Sequence, residues 1–162
     1  MKRIYLMRHG KAEDGDNMPD FERELLSKGR KKTEKVAVFL KDKEARPQQV
    51  LVSMARRTRQ TAEIIVKTLS LSQSVVSELK DLYLASSNSI LNIMYTLDDQ
   101  IDELMIVGHN PGISSLATYL SDTNIDWMST SAVIAVDIDI EKWTELSLGK
   151  KKLLYYTKAS HL

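Results

Sequence analysis

Ile4-Tyr5-Leu6-Met7-Arg8-His9-Gly10 sets the reading of this chain. Four apolar, β-prone residues run into a cation, an imidazole and a glycine. That is the pattern of a buried strand delivering reactive side chains at its carboxyl end. In open α/β sheets ligands bind at that edge. Gly10 has no Cβ to crowd an approaching group, and Arg8 offers a planar fork of donors suited to phosphate or carboxylate. A permanent cation beside His9 disfavours the imidazolium, so the ring stays neutral with a lone pair free for attack. The alternative is an ordinary strand-end histidine next to a surface arginine. An Arg-His-Gly triplet arises by chance in roughly one chain of this length in a hundred, so the remaining elements must decide.

Downstream of Gly10, the polar stretch Lys11–Asp20 has the length of a functional loop over a sheet edge. Ser27 reads as the N-cap of a helix running through Lys41, with Val36, Ala37, Phe39 and Leu40 at helical spacing. Gln48–Ser53 is a second strand after Pro47, and a second helix starts near Arg56 with a stripe of Ala62, Ile65, Val66 and Leu69. Ser74–Ser77 is a weak third strand, Glu78–Asn88 is irregular, and a helix covers Ser89–Leu97. Leu104–His109 is again a strong apolar strand ending in Gly and His. Asn110 is placed to cap the next helix, with Pro111 in its first position and Leu116, Ala117 and Leu120 inside. Ala132–Ile138 and Thr144–Leu148 complete the strands, with Leu153–Tyr156 as a further edge. The alternation predicts one domain over residues 1–162, a three-layer α/β/α sandwich on a mostly parallel sheet.

Composition narrows the function classes. The 162 residues suit one core, and 43% hydrophobic with 28% charged residues is ordinary for a soluble globule. A net charge of +1 gives no global field for nucleic acid or anionic membrane. Without cysteine there is no disulfide, no thiolate chemistry and no cysteine-rich metal site. No signal-peptide hydrophobic region follows Met1, Lys2 and Arg3, and no apolar run has transmembrane length, so a cytoplasmic location is expected. Oligomeric state is not readable.

Three strands end in functional groups: Arg8-His9, the Arg57 region and His109. A globule of this size has a radius of gyration of only about 15 Å, so these groups are candidates for a single pocket. Its complement is a compact polyanion, because arginines pair with phosphate oxygens and helix N-termini add backbone donors. His9 and His109 are the candidate nucleophiles.

Arg8-His9-Gly10 resembles the signature of the histidine phosphatase superfamily, the phosphoglycerate-mutase-like fold. The later elements resemble its short SixA-type phosphohistidine phosphatase branch. Asp20, Arg23, Leu25 and Gly29 match a D-x-x-R-x-L-(S/T)-x-x-G element, with Ser27 one place late. Val50, Ser53, Arg57, Gln60 and Thr61 match V-x-x-S-x-x-x-R-x-x-Q-T, and Gly108, His109 and Pro111 match G-H-x-P. The resemblance implies that His9 accepts the phosphoryl group, that Arg8, Arg57 and His109 cradle it, and that Arg23 adds a substrate contact. It implies no metal and no cofactor. Larger members carry a glutamate acid after the third strand. Here Glu78 and Asp81 are the candidates, each with an ordinary solvated carboxylate as its alternative.

A missing acid fits a substrate whose leaving group departs easily, such as phosphorylated imidazole on a protein. The alternatives are a small-molecule phosphomonoesterase or a catalytically silent phosphate-binding module. Arg56 and Arg59 read as solvent-facing, Lys150-Lys151-Lys152 as a solvated turn, His161 as a frayed tail, and Trp127 and Trp143 as packing anchors.

Overall fold

The computed structural model describes residues 1–162. Six strands, β1 (Lys2–Arg8), β2 (Gln49–Ser53), β3 (Val76–Leu79), β4 (Glu103–Gly108), β5 (Val133–Ile138) and β6 (Lys151–Thr157), form one sheet in the order β3-β2-β4-β1-β5-β6. β1, β2, β3 and β4 pair in parallel, and β5 is antiparallel to both β1 and β6. Alternation along β1 divides the core. Tyr5 and Met7 pack with Val36, Leu40, Ala62 and Ile65, from α1 (Ser27–Asp42) and α2 (Arg56–Thr68). Ile4 and Leu6 pack on the opposite face with Ile90, Met94, Ile113 and Leu116, from α3 (Ser87–Met94) and α4 (Gly112–Ser121). The result is the expected three-layer α/β/α sandwich with a mostly parallel sheet.

The order of the strands locates the ligand edge. From β1 the chain crosses by α1 to β2, on one side, and from β4 it crosses by α4 to β5, on the other. The crevice of such a sheet opens where neighbouring strands send their connections apart. Here that place lies between β1 and β4, with Arg8 in register with Gly108.

Several local expectations are corrected. Ser27 is the first residue of α1 rather than its cap; Leu26 precedes it in extended conformation without a side-chain bond. Asn110 does not cap α4, because its side chain is engaged elsewhere: Nδ2 donates to the Met128 carbonyl at 2.9 Å and Oδ1 accepts from Ser114. Pro111 stands just before α4, which starts at Gly112. The third strand begins at Val76, after a short 3-10 turn, and α3 starts at Ser87, capped by the Ser86 hydroxyl.

Thr144–Leu148 is not a strand. Trp143 is fully buried, its amide donates to Asp99 and its indole to the Ile101 carbonyl, and Glu145 folds back to accept from the Lys142 amide. The chain curls tightly around that anchor, while the edge expected at Leu153–Tyr156 is present as β6, Lys151–Thr157. Lys151 and Lys152 therefore lie in β6, with the Lys151 ammonium 4.0 Å from the Tyr119 ring centre. His161 ends a 3-10 turn held through Lys35 to the Leu162 carbonyl rather than a frayed tail. Trp127 is no packing anchor, being 58% exposed. Arg59 is half-buried in a small groove with Val52, Glu63 and Glu78 instead of facing solvent. No helix is long and apolar enough to cross a membrane.

Candidate active site

His9 leaves β1 one residue past its last pair and is 7% exposed. Its Nδ1 lies 2.8 Å from the Gly10 carbonyl. A carbonyl only accepts, so Nδ1 carries the proton and Nε2 keeps the lone pair. That lone pair faces Arg57, whose Nε is 3.4 Å away. Gly10 has a different purpose from the one expected. A Cβ there would meet Thr33 Oγ1 at 2.7 Å and Ser131 Oγ at 3.2 Å, so the glycine makes room for that buried hydroxyl pair rather than for a ligand.

Arg57 sits in the first turn of α2 with only 3% of its side chain exposed. Its guanidinium is engaged on two edges. Nε and Nη2 face the two histidines, with Nη2 3.4 Å from His109 Nδ1. Nη1 and Nη2 donate outward to Asp20, at 2.7 Å to the carbonyl and 3.0 Å to the carboxylate. His109, 2% exposed at the end of β4, is held on its far side by Ser53 Oγ at 2.8 Å from Nε2. The two imidazoles are 5.3 Å apart between centres. Arg8 donates Nη1 to the Met128 carbonyl at 3.0 Å, while its buried Nε has no protein partner. The sheet edge thus brings Arg8, His9, Arg57 and His109 together.

Arg23 belongs to a second layer. Its Nε donates to the Glu13 carbonyl at 2.5 Å and its Nη1 to Asp20 at 2.9 Å, so it joins the cluster through Asp20. Asp20 is the hub: its carboxylate also accepts from Arg57 and from the Tyr83 hydroxyl. Tyr83 in turn stands edge-on to His109, 5.5 Å between ring centres, and to Phe21. The Leu84–Ser86 loop presses against the start of α4, where a Cβ on Gly112 would lie 1.9 Å from the Ala85 carbonyl oxygen. Asp20 and Ser53 stand within the sequence motifs, but their part in the site is a tertiary fact, and Tyr83 lies in no motif.

Glu78 and Asp81 lie elsewhere. Glu78 faces the groove beside α2 and Asp81 a shallow surface beside α3. Neither is hydrogen-bonded to the cluster. No group of three or more His, Cys, Asp or Glu side chains converges as a metal-binding set.

The electrostatics follow from burial. Desolvation brings His9 down to about 3, against the partial support of its Gly10 bond, and His109, Arg57 and Arg8 push it further down. His109 is brought down to about 4, again mainly by burial and then by Arg57. Burial and the neighbouring Arg57 lower Arg8 too. For Asp20 burial works the other way, but bonds from Tyr83, Arg23 and Arg57 hold it well below the usual carboxylate range. At neutral pH Arg8 and Arg57 therefore surround two neutral imidazoles, with the Asp20 carboxylate behind Arg57 and shared with Arg23.

Both histidines are depressed in the folded state, so only the unfolded chain takes up their protons as pH falls below about 6.5. Stability is full above that value and is lost as pH falls toward about 4 for His109 and about 3 for His9. Each ring steepens the slope by up to about 1.4 kcal/mol per pH unit in its window. Melting temperature measured from pH 7 to pH 4.5 should fall, and more shallowly for His9→Asn. An equal slope in that variant would contradict the neutral, buried assignment.

A sequence model of the histidine phosphatase superfamily (branch 1) matches residues 4–88. No curated protein sequence matches the chain. Among solved structures, the protein histidine phosphatase SixA complexed with tungstate is 23% identical, with 98% of each chain covered and a TM-score of 0.83. A protein described as phosphohistidine phosphatase SixA from Agrobacterium tumefaciens is 23% identical over 96% of this chain and 97% of its own, at 0.81. A mycobacterial glucosyl-3-phosphoglycerate phosphatase in complex with VO3 is 13% identical over 98% and 100%, at 0.70. At these identities the likeness is one of fold.

Proposed function

Because the chain belongs to branch 1 of the histidine phosphatase superfamily, we propose that it removes phosphate from protein phosphohistidine through a phosphorylated His9. Phosphatase activity itself rests on the family. The finer assignment of substrate and residues is drawn from the geometry.

His9 Nε2 forms a bond to phosphorus while the P–N bond to the substrate imidazole breaks. That imidazole departs neutral, retaining the proton on its other nitrogen. Arg8 and Arg57 hold the equatorial oxygens as charge spreads over them. His109 reaches a phosphate oxygen when Ser53 donates to Nε2 and Nδ1 carries the proton, and a hydroxyl supports that tautomer as readily as the other. Phospho-His9, with Nδ1–H still on the Gly10 carbonyl, is itself a protonated phosphoimidazole. Water then attacks phosphorus, its protons go to the phosphate oxygens, and His9 is regenerated neutral.

One observation carries the choice of substrate: the cluster contains no group ready to give a proton to a leaving oxygen. The single carboxylate against it, Asp20, is held ionised by three donors. Tyr83 donates its proton to that anion, and burial with the Asp20 bond raises its pKa. An alkoxide leaving group depends on a positioned acid worth about 10²–10⁴-fold. A phosphorylated imidazole carries its own proton near neutrality. The expected result is a kcat/KM for a phosphohistidine peptide at least about 10²-fold above that for a sugar phosphate. A higher value for the sugar phosphate, dropping in Glu78→Gln or Asp81→Asn, would favour the small-molecule phosphomonoesterase instead. Absence of turnover on both would leave the silent binding module.

A further inference from the structure

Trp127 is the large aromatic side chain most exposed to solvent, at 58%, and it stands beside Arg8. The Arg8 guanidinium lies 5.9 Å from its ring centre. It is not on a loose loop. The next residue, Met128, is fully buried and held three times over. Its carbonyl accepts from Arg8 Nη1 and from Asn110 Nδ2, and its amide donates to Ser114 Oγ at 2.8 Å. These bonds tie the loop to β1, to the His109–Pro111 turn and to α4 at once. The backbone that carries this exposed ring is thereby fixed beside Arg8.

We propose that Trp127 is a specificity-determining residue on which the planar ring attached to the substrate phosphorus stacks. This rests on the phosphohistidine reading above. In a phosphoimidazole the ring is bonded directly to phosphorus, so a phosphate held by Arg8 carries its ring past the indole beside Arg8. A phosphorylated serine or sugar presents no such flat group one bond from the phosphate. The protonated imidazole is a cation as well as an aromatic, and the electron-rich indole face favours both properties. Trp127 would then select the ring while Arg8 and Arg57 hold the anion.

The test compares KM for a phosphohistidine peptide with KM for inorganic phosphoramidate, which has the same P–N bond and no ring. In Trp127→Ala the ratio of the two KM values should shift by about 3–10-fold against the peptide, the span of one aromatic or cation–π contact. Trp127→Phe should restore most of the ratio, and tungstate should inhibit all three proteins with similar affinity. If Trp127 served only to hold Arg8, both KM values would rise and tungstate would bind more weakly together, the ratio would stay constant, and the proposal would be overturned. A wild-type enzyme that hydrolyses phosphoramidate but not the peptide would overturn the substrate reading and this proposal with it. Wild-type turnover of both, with an unchanged ratio in the alanine variant, would overturn this proposal alone.

Discussion

His9→Ala loses its phosphoenzyme and, with it, turnover by at least about 10⁴-fold, the scale on which enzymes lose activity when a covalent nucleophile is removed. Rapid quench of the wild-type protein with labelled phosphohistidine peptide should trap phosphate that is labile in acid and stable in base, as expected for a P–N bond to imidazole. The alanine variant should trap none. Nδ1 of His9 is committed to the Gly10 carbonyl at 2.8 Å, so only Nε2 offers a lone pair, and it points at the arginine-lined space. His109 does not substitute: with Ser53 donating to its Nε2, its Nδ1 carries the proton and offers no lone pair toward the phosphate. A second variant separates the two rings: His109→Asn should still form phosphoenzyme, more slowly. If His9→Ala retained wild-type turnover, or if labelled phosphate were found on His109, the assignment of the nucleophile would be wrong.

The contrast between those two histidines also explains what was legible in the sequence. Leu6-Met7-Arg8-His9 and Val107-Gly108-His109 each join an apolar run to a polar end. A strand buried on both faces must be a continuous apolar run, and a parallel sheet brings such ends to one edge. Pattern alone therefore puts His9 and His109 at one edge as candidates for a single pocket; the pairing of β1 with β4 makes them neighbours. Thr144–Leu148 misleads for a related reason: its composition suits a strand, but the buried Trp143 and its bonds to Asp99 and Ile101 fix a curl, and those partners are more than forty residues away. Trp127 and Trp143 have the same residue type and opposite fates, since burial depends on what packs above the ring. Tyr83 reaches Asp20 only because the loop after β3 lies over α4, a proximity that no local pattern encodes. Asp20 stood in a recognisable motif, yet its position behind Arg57 is a tertiary fact.

Arg57→Ala is expected to lower kcat/KM by about 10²-fold or more, while Arg56→Ala falls by less than about threefold. The two residues are adjacent in sequence but about 100° apart around the helix, and the structure places them accordingly. Arg57 is 3% exposed, with its fork between the histidines and Asp20; the Arg56 side chain is 47% exposed and lies 3.5 Å from Glu24. Arg57 meets the requirement for strong transition-state stabilisation: a charge fixed before the substrate arrives, in a site with little water. Asp20 supplies the fixing, since its carbonyl and carboxylate hold both terminal nitrogens. Removing the guanidinium takes away the charge and leaves the Asp20 carboxylate facing the space the phosphate enters, so the loss has an attractive and a repulsive part. Arg57→Lys should recover only a fraction of it, because an ammonium cannot engage Asp20 and two phosphate oxygens through one planar fork. The repulsive part is separable: adding Asp20→Asn to Arg57→Ala should recover some kcat/KM, whereas Asp20→Asn alone should lower it by loosening Arg57. Equal losses for Arg56→Ala and Arg57→Ala, or a double variant no better than Arg57→Ala, would contradict this account of how the phosphate clamp is held.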